Sequence, residues 1–323
     1  MIRRVPVATA EEFIARLRLS DRLWGIDVPG DTNWQLREKW GFRGQRDASW
    51  GLVPSAFRPG TQLGFKGRGH VRPGRSGPPP LVAPAQQEQE RRALVDFLFF
   101  ADRVGLDVPG DGQHFRTPRL RGHPERVELE HWPWEHALET LAVAQHHGVP
   151  TRLLDFTHGP LTAGFFACYD AWRQMDRPSV HDVPRHGDRL LAVWAISLEL
   201  VVRSVGERSR REPPVPPRVV MVTAPRSKNA FLHHQEGFFV VDLEADAKGY
   251  PPFEDVLRDI RDEVVERGSE QFAGDQILVL ELPWAAAPEA LARLWNEQIH
   301  VARLMPTHDN AVRALEDHRA LFA

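Results

Sequence analysis

At 323 residues the chain is long enough to bury a substantial core, as one large domain or two ordinary ones. Its 42% apolar and 26% charged residues exclude wholesale disorder and a fibre. A net charge of −3 gives no support for a general nucleic-acid-binding surface, though it leaves local basic patches open.

The single cysteine, Cys168, excludes an intramolecular disulfide framework and any cysteine-rich zinc site. The first residues, MIRRVPVATAEEF, lack the apolar stretch of a secretory signal. No run approaches the roughly 18 apolar residues of a membrane span; Leu94 to Ala101 is too short and contains Asp96. The expectation is a soluble, cytoplasmic protein with no membrane partner.

In chain order, residues 9–19 read as a short helix, with Thr9 as cap, Glu11 and Glu12 in the first turn, and a stripe of Phe13, Ile14 and Leu17. Val-Pro-Gly-Asp occurs at 28–31 and again at 108–111. The similarity dies outside the turn, so these are two similar turns and not a repeat. Trp40 to Gly44 reads as a short strand with Phe42 and Arg43 on opposite faces. From Pro59 to Pro84 the composition is that of a mobile loop.

Gln86 to Val104 reads as a helix, followed by a second loop at about 107–130. A third helix begins near Pro133, with Trp134, Leu138, Leu141, Ala142 and Gln145 on one stripe; Gly148 and Pro150 stop it. Pro160 starts another, whose stripe is Leu161, Phe165, Cys168 and Trp172. Strand-like runs follow at 190–196, 219–222, 238–241 and 277–280, with a basic, proline-rich loop before the second. Helices at about 252–267, 286–297 and 309–321 close the chain. This order predicts an α+β fold, a central mixed or antiparallel sheet of short strands with helices packed around it. Residues 1–34 form a helical lead-in and 35–323 the domain proper, with loop insertions at about 59–84, 107–130 and 203–218.

Two polar knots stand out, 42–47 and 145–160. Gln145 sits on an apolar stripe, where its amide needs either core partners or a ligand. His146 and His147 fall in the last helical turn, where the dipole favours imidazolium. If Thr151 to Asp155 is extended, Arg152 and Leu154 share a face opposed by Leu153 and Asp155. Either Arg152 and Asp155 are a structural pair, or one side of the segment contacts an anionic or sugar-bearing ligand. Arg43, with Gly44 clearing space beside it, is either a surface ion-pair partner or a planar fork for phosphate or carboxylate. The adjacent histidines, including His233-His234, match no metal-ligand spacing, and no metal is expected. There is no nucleophile elbow, phosphate loop or dinucleotide turn.

Phe42-Arg43-Gly44-Gln45-x-Asp47-x-Ser49-Trp50, with Pro54-Ser55-x-Phe57-Arg58, resembles the signature of the FRG domain, named for its Phe/Tyr-Arg-Gly motif. Ala144 to Thr157 matches that family's longer motif, with Phe156 where tryptophan is usual. Gln235-Glu236-Gly237-Phe238-Phe239 resembles a later element, and Glu90 falls where the family often has a glutamate. The resemblance covers roughly 35–320.

That family is similar to the ADP-ribosyltransferase group, so the resemblance implies an ADP-ribosyltransferase-like fold and a transferase that takes NAD as substrate. It further implies a bacterial toxin or phage-defence setting, an unidentified protein or nucleic-acid acceptor, and an inhibitory partner protein. The implied catalytic residues are Arg43, Gln235, Glu236 and His146, with Glu281 in reserve for the carboxylate. The implied binding residues are Arg43, Gln45, Trp50, Ser55, Gln145, His147, Thr151, Arg152, Asp155 and Phe238. Cleaving the glycosidic bond of NAD calls for a carboxylate near the ribose and a cationic fork, Arg43 or Arg152, at the diphosphate. Trp50 or Phe238 would wall the nicotinamide. The alternatives are a non-catalytic nucleotide- or nucleic-acid-binding module using basic loops at 59–77 and 203–218, and a metal-independent hydrolase or nuclease using His146 or His147 as base.

Overall fold

The computed structural model describes residues 2–25, 39–61, 63, 86–112, 132–133, 135–182, 188–223 and 233–323. Strand β1 (Ile2–Pro6) leads into helix α1 (Ala10–Leu17), where Thr9 caps by accepting from the Glu12 amide at 3.2 Å. Strand β2 (Trp40–Gln45) precedes helix α2 (Gln86–Arg103). Helix α3 (Leu138–His146) ends at Gly148, whose φ of 89° is the left-handed turn that the sequence predicts there. Strand β3 (Leu154–Thr157) and helix α4 (Pro160–Gln174) follow, with proline in the first turn of α4.

Strand β4 (Leu190–Ser197) runs directly into helix α5 (Leu198–Ser209), and strands β5 (Val219–Val222) and β6 (Gly237–Asp242) come next. Helix α6 (Phe253–Glu266), strand β7 (Ile277–Pro283) and helices α7 (Ala287–Asn296) and α8 (His308–Phe322) complete the order. Two helical turns, at Ala245–Lys248 and Val301–Leu304, lie between these elements.

The seven strands form one mixed sheet in the order β1-β7-β4-β2-β3-β6-β5. β1 and β7 are parallel; the other neighbours are antiparallel. Both faces are covered, which is why β4 and β6 read as continuous apolar runs and not as alternating ones. On one face α1, α4, α7 and α8 pack over Phe42, Val193 and Leu280. On the other, α5 and α6 pack over Trp194, Phe238 and Val240. A third cluster sets α2 and α3 against Phe239 and Val241. By strand register Phe42, Thr157 and Phe239 share a face, so two helical groups occupy the same side of the sheet with a gap between them.

The predicted mixed sheet with surrounding helices is the observed architecture. Three elements differ. β1 has no counterpart in the sequence reading, because five residues with two outward arginines carry little apolar signal. β3 was legible only as a loop that could extend. The insertion expected at about 203–218 begins inside α5, whose start Ser197 caps by accepting from the Leu200 amide at 3.3 Å. Arg208, read there as part of a basic loop, is 8% exposed and pairs with Glu244 and Glu263. The insertions at about 59–84 and 107–130 fall outside the described residues except for 59–61, 63 and 107–112. Among the described residues no helix is long and apolar enough to cross a membrane.

Candidate functional site

The sheet comes apart at its middle. β2 and β3 are joined by one residue pair, Phe42 with Thr157, whereas β2 and β4 share six. Where the two strands part, the Arg43 side chain spans the opening. Its Nη1 donates to the carbonyl oxygen of Asp155 at 2.8 Å and lies 2.7 Å from Asp155 Oδ2. The guanidinium is largely enclosed, its side chain 11% exposed, and its Nε is buried without a hydrogen-bond partner. A buried donor left unpaired is costly unless something else occupies it.

Gly44 explains how the strand reaches this position. A Cβ there would lie 2.0 Å from the carbonyl oxygen of Ala163 and 2.8 Å from the amide nitrogen of Ala167. The glycine is needed for α4 to lie against β2. This corrects the expectation that Gly44 clears space for a ligand: it clears space for the helix backbone.

Asp155 is held from one more side, and the residue that holds it is itself anchored. Gln145 Nε2 donates to Asp155 Oδ1 at 3.1 Å, and Gln145 Oε1 accepts from the Thr151 hydroxyl. Thr151 in turn accepts from the Leu153 amide at 3.1 Å, which fixes the entry into β3. Ser55 exchanges hydrogen bonds with the Thr151 backbone at 3.2 and 3.1 Å, tying the second half of the first motif to the second motif. The protein packed around Asp155 tends to raise its pKa, although its side chain is 64% exposed, but the Arg43 guanidinium, with Arg58 behind it, outweighs that and holds it below the usual carboxylate range.

Around this pair is a cleft of two compartments. The larger, about 340 Å³, lies between the two helical groups and is lined by Arg43, Gln145, His146, Asp155, Gln235 and an apolar wall that includes Phe156, Phe166 and Phe238. The smaller, about 240 Å³, shares Arg43, Gln145 and Asp155 and adds Ser55, Arg58 and the Gly148–Leu154 segment. Gln235 is steadied by its backbone oxygen, which accepts from Thr157 Oγ1 at 2.5 Å, and by its own amide, which donates to the Leu304 carbonyl at 3.3 Å.

Of the expected site residues, Arg43, Gln145, His146, Asp155, Gln235 and Phe238 meet in the larger compartment and Ser55 in the smaller. Others are placed elsewhere. Arg152 is fully buried as the centre of an ion cluster, with Nε 2.7 Å from Glu90 Oε2 and Nη1 2.7 Å from Asp246 Oδ2; its donors are satisfied by these two carboxylates, and the expected pairing with Asp155 is not formed, since Asp155 faces Arg43 instead. Glu236 stands in the turn before β6 at φ 50°, exposed, and lines neither compartment. The reserve carboxylate, Glu281, is paired with Arg4 on β1.

Trp50 is 41% exposed beneath the Arg46 guanidinium, which lies 4.6 Å from its ring centroid, and Gln45 donates to the Gly51 carbonyl at 3.3 Å. His147 stacks on Phe97 outside the cleft, and Thr151 acts on it only through Gln145. His146 also departs from expectation. Burial first, and the neighbouring His147 second, lower its pKa, against the helix dipole that would favour the cation. Arg58 and Phe166 were missed. Arg58 is the last residue of the first motif, which was a signal; Phe166 projects from the helix that Pro160 starts, which gave none.

Among the described residues no three His, Cys, Asp or Glu side chains come together to hold a metal ion. Cys168 is buried, and burial pushes its thiol pKa up. Of the two basic loops expected, 203–218 commits Arg203, Arg208 and Arg211 to Glu207, Glu244 and Glu263 and Arg218 to Asp242 and Asp259, and 59–77 lies mostly outside the described residues.

Comparison with known proteins bears on the same residues. The family model described as FRG domain matches residues 38–176, and the chain carries an FRG domain over that span. The match contains β2, α2, α3, β3 and α4, and with them Arg43, Gln145 and Asp155; the Gln235–Phe239 element lies beyond it. No curated protein and no solved structure matches the chain.

Proposed function

With an FRG domain over residues 38–176 as the premise, we propose that the split-sheet cleft binds NAD or a related nucleotide and that the protein is an ADP-ribosyltransferase-like enzyme. The observation that carries this reading is the Arg43 guanidinium, enclosed at the cleft with its Nε unpartnered. A planar cationic donor already facing one carboxylate and carrying an unpaired N–H suits an oxygen of a diphosphate. Of the aromatic side chains lining the larger compartment, Phe166 is part-exposed and suits a flat heterocycle, while Phe156 and Phe238 are buried and form the apolar floor.

The chemistry asks for a carboxylate near the ribose. Asp155, ionised against Arg43, is the acidic side chain at this cleft among the described residues, and it takes the role earlier expected of Glu236. As the bond between ribose C1′ and the pyridinium nitrogen breaks, its electron pair stays with nicotinamide, which leaves neutral. Asp155 stabilises the positive charge left on the ribose. An acceptor hydroxyl, amine or water then bonds to C1′, and its proton passes to His146, which burial keeps neutral. Gln145 and Gln235 orient these groups, Gln145 through Asp155.

The test is nicotinamide release from NAD by the purified protein, with water, nucleic acid or cell extract as acceptor. Release that is lost in Arg43→Ala supports the reading. Absence of release with every acceptor, together with absence of NAD binding, sinks it. Chelator-insensitive cleavage of nucleic acid, lost in His146→Ala, would instead favour a hydrolase built on the same histidine.

A further inference from the structure

The smaller compartment carries an uncompensated positive charge. Two guanidinium groups, Arg43 and Arg58, line it against the one carboxylate of Asp155. Asp155 is committed to Arg43, at 2.7 Å. Arg58 donates from Nε to the Val53 carbonyl at 3.1 Å and, among the described residues, is in no ion pair. Its pKa is held down, by burial first and by the charge of Arg43 second, with Asp155 offsetting only part. Arg58 is itself exposed to solvent, so its charge is within reach of an incoming anion.

Neutral groups in the compartment do not supply the missing acceptor. The Ser55 hydroxyl is used by the Thr151 backbone in both directions. The Gly148 and Val149 amides are spent on the carbonyls of Gln145 and Ala144, at 2.9 and 3.0 Å. What remains on offer is donor hydrogen from two guanidinium forks in a space of about 240 Å³. A compact group with several acceptor oxygens and more than one negative charge satisfies both at once.

We propose that this compartment is a phosphate monoester site, held between Arg58 and Arg43. It opens beside the larger compartment across a shared wall of Arg43, Gln145 and Asp155. The phosphate is therefore one that a bound nucleotide carries outside its diphosphate, an attribution that rests on the nucleotide reading above. A free phosphate ion is the other source of the same chemistry.

Titration of the full chain with NAD, NADP and inorganic phosphate, in the wild type and in Arg58→Gln, separates the cases, with a thermal melt to confirm that the variant is folded. The expected result is NADP binding tighter than NAD by about tenfold or more, a ratio that collapses toward one in Arg58→Gln. Phosphate binding that needs Arg58, with neither nucleotide bound, keeps the site, names free phosphate as its ligand and discards only the nucleotide reading. Equal affinity for NAD and NADP with no phosphate binding overturns the proposal. So does phosphate or NADP binding that Arg58→Gln leaves intact.

Discussion

Arg43 and Asp155 stand 112 residues apart in sequence, yet one guanidinium nitrogen of Arg43 holds both the carbonyl oxygen and the carboxylate of Asp155, at 2.8 and 2.7 Å. The pair sits where β2 and β3 part after a single bridge, so a side chain stands where ladder hydrogen bonds would otherwise run. It closes the sheet and at the same time forms the wall common to both compartments. Structure and proposed function therefore meet in the same two residues.

Replacing Asp155 by Asn separates binding from chemistry. The amide still accepts from Arg43 but carries no charge to face a developing ribose cation. NAD affinity should be kept or rise, since a repelling charge beside the diphosphate is gone. Nicotinamide release should fall by about 100-fold or more. A variant with parallel losses in binding and turnover would place Asp155 in the scaffold and not in the reaction. The same carboxylate has a pH signature. Its folded pKa is depressed, so its stabilisation is present above the ordinary value of 3.8 and is lost as pH falls through the folded value.

His146 sets the acid limb of the rate. Its pKa lies below the ordinary 6.5, so the neutral, proton-accepting form persists to a lower pH than a free histidine would allow. The pH profile of turnover should bend on its acid side below 6.5, and His146→Ala should abolish that limb. A bend above 6.5 would mean that the helix dipole outweighs burial. For folding, the unfolded chain binds the proton more readily, so this residue makes stability rise with pH up to about 6.5.

Arg152 should behave as scaffold. Arg152→Ala leaves the buried Glu90 carboxylate unpaired and should cost about 3–5 kcal/mol in a denaturant melt. Glu90→Gln keeps an acceptor for Arg152 and should cost less. If Arg152→Ala left stability unchanged and removed only NAD binding, the assignment would be reversed.

Gly44 tests the packing of α4 on the sheet. Gly44→Ala forces a methyl to within 2.0 Å of the Ala163 carbonyl and should cost about 1–3 kcal/mol or more. Chemical denaturation measures it. A neutral result would mean that helix and strand shift apart easily, and that the cleft between them is not rigid.

The outcome shows which signals a single sequence carries. Element ends with a clear signal, such as the start of α4 at Pro160 and the stop of α3 before Gly148, were legible almost to the residue, whereas α3 begins at Leu138 and not near Pro133. β1 was not, because a short edge strand takes its identity from its partner β7. Gln145 and Asp155 were legible as polar groups in an apolar context, but nothing local tells that they bond to each other. Arg152 and Asp155 look equivalent as charges in one segment. Only the position of Glu90 on α2 decides that one is buried and paired while the other borders the cleft. Glu236 failed for a backbone reason, a left-handed turn that sets its side chain in solvent. Arg58 was visible in the motif, but its role depends on the proximity of Arg43, which sequence spacing does not report.

The central claim is that Arg43 is the anchor of a nucleotide cleft. Calorimetric titration of NAD into the wild type, Arg43→Lys and Arg43→Ala tests it most directly, with melts to show that each variant is folded. Saturable binding at one site in the wild type, weakened in Arg43→Lys because the planar fork is lost and abolished in Arg43→Ala, is the predicted result. Equal binding in all three folded proteins, or no binding in the wild type, would contradict it.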